Sequence, residues 1–171
     1  MDFKQLFETQ WKLDFKIKNE KELWGIDLLE DKILALNVEL GELSNELPEE
    51  SKFWSNKRND YEKALVEYVD CLHFILSIGN DINFNAYTAI QSNDANQAGL
   101  NIKKQLLAVY DWINQFTMSL DFDITPAKNT YNQLFNQFLF LGRGIGFTHE
   151  QIADAYYSKN ETNHERQDNG Y

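Results

Sequence analysis

Apolar side chains recur every three or four residues along most of this chain, the spacing of one face of an α-helix. Ile33, Leu36, Leu40, Leu43 and Leu47 form one such stripe, which predicts a helix from about Leu28 to Leu47, ended by Pro48 and Glu49. A second segment, about Asp60 to Gly79, is apolar around nearly its whole circumference, from Tyr61 and Ala64 through Leu72 to Ile78. Such a helix belongs at the centre of a fold. Further helices are predicted over about Asp2–Asn19, Leu100–Leu120 and Ala127–Leu141. Thr148 and Gln151 are spaced as a capping box, opening a last helix to about Lys159. Turns are expected near Asp123–Pro126 and at Gly142-Arg143-Gly144-Ile145-Gly146, and a loop over residues 91–98. No segment alternates as a strand. The expectation is an all-α helical bundle forming a single domain over residues 1–171, with a polar, mobile tail from Asn160 to Tyr171.

Charge narrows the partners. A formal net charge of −11 is the wrong sign for a surface that tracks nucleic-acid phosphates. A free nucleotide is still admissible where divalent metal neutralises both sides. The lone cysteine, Cys71, lies in an apolar run and reads as a buried core residue of a reducing compartment. No signal peptide and no run near the ~20 residues of a membrane span is visible, so a soluble, cytoplasmic protein is expected.

Two acidic pairs carry the chemistry. Glu39 and Glu42 are three apart on one predicted helix, Glu67 and Asp70 three apart on the next, so each pair shares a helix face. Hard oxygen ligands suit Mg²⁺, which shares its coordination with substrate phosphates. Alone, Glu39-x-x-Glu42 reads as a solvated acidic face, and Glu46 lies nearby. Glu67 and Asp70 say more, because they interrupt an otherwise apolar helix and need a cation. That cation is either a metal or a Lys or Arg from a neighbouring helix. His73 and Ser77 continue the same polar strip. The glycines at 142, 144 and 146 are not a dinucleotide fingerprint, since no strand precedes them. Arg143 is at most a weak phosphate contact.

Glu39-x-x-Glu42, twenty-four residues, then Glu67-x-x-Asp70 resembles the all-α nucleoside triphosphate pyrophosphohydrolases, and within them the dimeric dUTPases of phage and Gram-positive type. Gln10 with Leu13-Asp14, Phe53-Trp54-Ser55, His73-Phe74, Gly146-Phe147-Thr148 and the tail residues Lys159, Asn163, Arg166 and Tyr171 extend the resemblance over most of the chain. It is weakest over about residues 81–130. The resemblance implies Mg²⁺-dependent hydrolysis of dUTP, and of dUDP, to dUMP. It implies Mg²⁺, two or three ions with nucleotide bound, on Glu39, Glu42, Glu67 and Asp70, with Glu39 or Glu42 activating water. Gln10 and Trp54 would line the uracil pocket, Phe74 stack on the base and His73 touch the deoxyribose. Lys159, Asn163, Arg166 and Tyr171 would hold phosphates when the tail closes. One departure is Asp14, where some relatives carry Asn: it suits the uracil N3–H but repels a carbonyl. A homodimer is implied, and a Stl-type repressor is a candidate partner if the chain is phage-encoded. The competing readings are a pyrophosphohydrolase for dCTP or damaged nucleotides, and a non-catalytic helical interaction protein.

Overall fold

The computed structural model describes residues 1–84, 86, 101–121 and 124–170. These form seven helices, with no strand among the described residues: α1 Phe3–Glu20, α2 Leu29–Glu46, α3 Pro48–Ser51, α4 Tyr61–Asp81, α5 Ile102–Ser119, α6 Ile124–Ile145 and α7 His149–Asp168. No helix is long and apolar enough to cross a membrane among the described residues.

Local chemistry sets the ends. Asp2, Asp60 and Asn101 each accept from the backbone N–H three residues on, capping α1, α4 and α5. The expected capping box opens α7: Gln151 N–H donates to Thr148 Oγ1 at 3.2 Å, and Thr148 N–H to Gln151 Oε1 at 2.9 Å. The short α3 was not foreseen. Pro48 occupies its first turn, where a missing N–H costs nothing, so the proline that stops α2 also starts α3.

Helix α4 is central. It packs against α2, α1, α7 and α6, while α5 pairs with α6. Tyr68, Cys71, Leu72, Ile75 and Leu76 of α4 are wholly buried, against Leu36, Leu40 and Leu43 of α2. The apolar circumference is not fully enclosed, since Val66 is 47% exposed. Helices α2 and α4 run antiparallel: Asp60 N–H donates to Glu46 O at one end, and Lys32 pairs with Asp81 at the other. This arrangement sets the two acidic pairs side by side.

Three boundaries move. Helix α6 begins at Ile124, so Pro126 sits in its first turn rather than in a loop; residues 122 and 123 lie outside the described ones. The same helix continues through Gly142 to Ile145 and is followed by Gly146, whose φ of +107° suits glycine. Gly142 instead serves packing: a Cβ there would lie 2.5 Å from Tyr68 Oη. Helix α7 does not stop near Lys159 but continues to Asp168. The expected 91–98 loop lies outside the described residues.

Candidate active site

A cavity of about 330 Å³ opens between α1, α2, α4 and α7. Each helix sends residues into it at helical spacing: Gln10 and Asp14 from α1, Lys32 and Glu39 from α2, and Asp70, His73, Phe74 and Ser77 from α4. Helix α7 supplies Lys159, Asn163 and Arg166. The four-and-three spacing of this last set gives it one face, as expected, and the longer α7 already holds that face against the cavity.

At one end, carboxylate oxygens of Glu39, Glu67 and Asp70 lie within 4.8 Å of one another, all three residues half-buried. Three hard oxygen donors at this spacing fit a divalent cation. Burial and the neighbouring Asp70, Glu42 and Glu67 charges push the Glu39 carboxyl up to about 7. Burial and the Asp70, Glu42 and Glu46 charges raise Glu67. Glu42 is exposed and stands outside the three-oxygen cluster, yet its charge reaches both Glu39 and Glu67. Lys159 Nζ donates to Asp70 Oδ2 at 2.6 Å and lowers the proton affinity of Glu39 and Glu67. The lysine expected on phosphates is therefore paired with a carboxylate here. Of the two cations open to Asp70, a metal or a basic side chain, the fold supplies the lysine.

Midway along the cavity a hydrogen-bond chain fixes His73. Gln10 Nε2 donates to Asp14 Oδ1 at 2.8 Å, so Gln10 Oε1 faces the ring and lies 2.7 Å from His73 Nδ1. Oε1 also accepts from Tyr156 Oη at 3.1 Å. Only an Nδ1–H can satisfy Oε1, which assigns the tautomer and leaves a lone pair on Nε2. That nitrogen is buried without a partner among the described residues. Burial and the Lys159 charge hold His73 down to about 3, so the ring is neutral at physiological pH. Tyr156 stacks on it with ring centroids 4.4 Å apart. Sequence reasoning missed Tyr156, which on its own reads as one more buried aromatic.

One expected site residue is elsewhere. Trp54 is 70% exposed, packs edge-on against Phe53 at 4.9 Å and does not line this cavity. It sits in the connection between α3 and α4. Tyr171 lies outside the described residues. Arg143 lies over the Phe140 ring, 5.4 Å from its centroid, and does not line the cavity. Cys71 is buried, its thiol pushed well up by burial, in keeping with a core residue.

The model of a protein family described as dUTPase matches residues 2–171. The chain belongs to this dUTPase family. Membership accounts for the all-α architecture and implies hydrolysis of dUTP and dUDP, the activity of a dUTP diphosphatase. A search of the curated proteins finds no match.

Proposed function

We propose that this enzyme hydrolyses dUTP, and dUDP, to dUMP with Mg²⁺ held by Glu39, Glu67 and Asp70 and by Glu42 at the outer edge. The observation that carries the reading is the convergence of three carboxylates at one end of a cavity whose α7 wall bears Lys159, Asn163 and Arg166. Two or three ions with nucleotide bound would offset half or more of the charge of four carboxylates and a triphosphate. When bound, the metal supplies charge neutralisation at the phosphates and a more acidic water.

The chain's own groups do the rest. Glu39, in the acidic cluster at the cavity, is placed to accept a proton from the attacking water, with Glu42 as the alternative base. Water adds to the β-phosphorus and the bond to the α-phosphate oxygen breaks, releasing dUMP. Lys159, Asn163 and Arg166 bind the phosphates, and Tyr171 is a candidate beside them. His73 Nε2, neutral and unpartnered, accepts from a sugar hydroxyl. Phe74 offers a face for the base, and Gln10 and Asp14 its polar edge.

The reading includes a homodimer acting in a cytoplasm. Leu34, Val38, Phe53 and Trp54 are all more than half exposed on one chain, and a second copy would cover such apolar surface. Light scattering at micromolar concentration should give twice the chain mass. A phage origin and a Stl-type repressor belong to this reading only as the resemblance carries them.

A pyrophosphate-release assay over the common deoxynucleoside triphosphates, with and without Mg²⁺, tests the activity. The expected result is Mg²⁺-dependent turnover of dUTP above all others, lost in Glu67→Gln with the helical fold kept. Turnover of Glu67→Gln at the parent rate would remove Glu67 from the site.

A further inference from the structure

The end of the cavity away from the acidic cluster is built as carefully as the cluster itself. Lys32 lies seven residues before Glu39 on α2, and Ser77 seven after Asp70 on antiparallel α4. Two helical turns, about 10.5 Å, therefore separate this end from the carboxylates. A nucleotide whose phosphates meet the cluster has its sugar near His73 and the outer edge of its base near Lys32 and Ser77.

Two charged groups there are fixed in place. Asp14 Oδ1 accepts from Gln10 Nε2 and Oδ2 from Ser77 Oγ, both at 2.8 Å. Each oxygen keeps a lone pair for a further donor. Lys32, its side chain only 12% exposed, pairs with Asp81, which also accepts from Lys18 Nζ at 3.2 Å. One of the three Lys32 N–H groups is used on Asp81, leaving the others for a ligand. Burial pushes the Asp14 carboxyl up and the Lys32 charge opposes it, so the two groups sense each other across the cavity. The cavity thus ends in an anchored acceptor beside an anchored donor.

We propose that Lys32 is a specificity-determining residue: its ammonium donates to the C4 carbonyl of uracil while Asp14 accepts from the adjacent N3–H. This rests on the dUTPase reading above. Cytosine reverses both polarities at this edge, setting a ring-nitrogen lone pair against Asp14 and amino hydrogens against Lys32. A site built for one pattern leaves its buried groups unpaired or repelled with the other. Lys32 also answers the difficulty of an aspartate in a pocket for a base with two carbonyls, because the carbonyl beside N3–H then faces a cation.

The test compares kcat/KM for dUTP and dCTP in the parent enzyme, Lys32→Met and Lys32→Gln, with folding followed by circular dichroism. Calorimetric binding of dUMP and dCMP without metal provides a readout free of turnover. Loss of a charged hydrogen bond should lower kcat/KM for dUTP about 10- to 100-fold in Lys32→Met. The dCTP value should change less than about threefold, so the preference narrows, and dUMP binding should weaken while dCMP binding does not. An equal fall for both nucleotides, or an unchanged preference, would overturn the proposal. Unfolding of both variants would assign Lys32 to bracing α2 against α4 and overturn it too. A parent enzyme that neither turns over dUTP nor prefers dUMP would fail the dUTPase reading itself, a result distinct from an active parent whose preference survives the substitution.

Discussion

Lys159 and Asp70 form a part-buried ion pair, Nζ to Oδ2 at 2.6 Å, that puts an ammonium among the carboxylates expected to hold a divalent ion. Under the proposed function the same lysine would hold phosphates once nucleotide binds. Metal and lysine would then compete for Asp70 until the nucleotide gave the lysine a second anionic partner.

Lys159→Met should separate these roles. Without nucleotide, the variant should bind Mg²⁺ or Mn²⁺ roughly 3- to 10-fold more tightly in calorimetric titration, the scale of ~1 kcal/mol for such a pair. With metal present, binding of a non-hydrolysable dUTP analogue should weaken. Weaker metal binding by the variant would show that Lys159 does not compete for the cluster.

The pH dependence of stability follows from Glu39. Its carboxyl rises from an ordinary 4.5 to about 7 in the folded protein, so between those values the folded state holds more proton than the unfolded one. Stability therefore falls as pH rises through that window, and the loss is complete above 7. His73 runs the other way, being held down to about 3 from 6.5, so its burial costs less as pH rises from 3 to 6.5. Comparing Glu39→Gln with the parent isolates the first effect. The melting-temperature gain of Glu39→Gln should grow from pH 5 to pH 8 in chelator, and shrink when Mg²⁺ is added. A constant difference across pH would place the Glu39 carboxyl in solvent.

Gly142 is the packing test. Its absent Cβ leaves room for Tyr68 Oη, Cζ and Cε2 at 2.5, 2.7 and 2.9 Å from where that carbon would lie. Tyr68 is wholly buried, stacked on Phe138 with centroids 4.2 Å apart and donating to Phe138 O at 3.2 Å. Gly142→Ala gains helix propensity but forces this ring aside. A net loss of about 1–3 kcal/mol in urea unfolding is expected. A stabilised variant would mean that the ring moves freely.

The residues explain how far sequence alone reaches. Periodicity predicted α2 and α4, the first from one apolar face, as in Ile33, Leu36, Leu40 and Leu43, the second from an apolar circumference, whereas the apolar residues of α1 are mixed in period. It failed at Gly142, where a residue that breaks isolated helices is required by a neighbour distant in sequence. It failed again at Asn160, whose burial beside other helices lets a polar segment stay helical. The acidic pairs and the α7 face were legible from i to i+3 and i+4 spacing. The His73–Gln10–Tyr156 chain and the Lys32–Asp81–Lys18 triad were not, because they join residues far apart in sequence that only packing brings together.

The end of α7 separates an enzyme that closes over its substrate from one with a preformed wall. Beyond Lys159 the helix is polar and mostly exposed. Asn160 is buried, and Lys16 of α1 pairs with Asp168 and donates to His164 O at 3.0 Å. A helix end that buries so little opens at small cost, so its amides should exchange quickly in the free protein. Asn163 and Arg166 line the cavity, so a bound triphosphate adds the charge that holds those turns in place. Hydrogen exchange should therefore be fast from Asn160 to Gly170 without ligand, and slower with a non-hydrolysable dUTP analogue plus Mg²⁺. Truncation after Ser158 removes Lys159, Asn163 and Arg166 together but leaves Tyr156 and its bond to Gln10. The truncated protein should keep its helical spectrum while nucleotide affinity and turnover fall together. Equal exchange in both states, with full activity in the truncated protein, would show that the last turns of α7 take no part in binding.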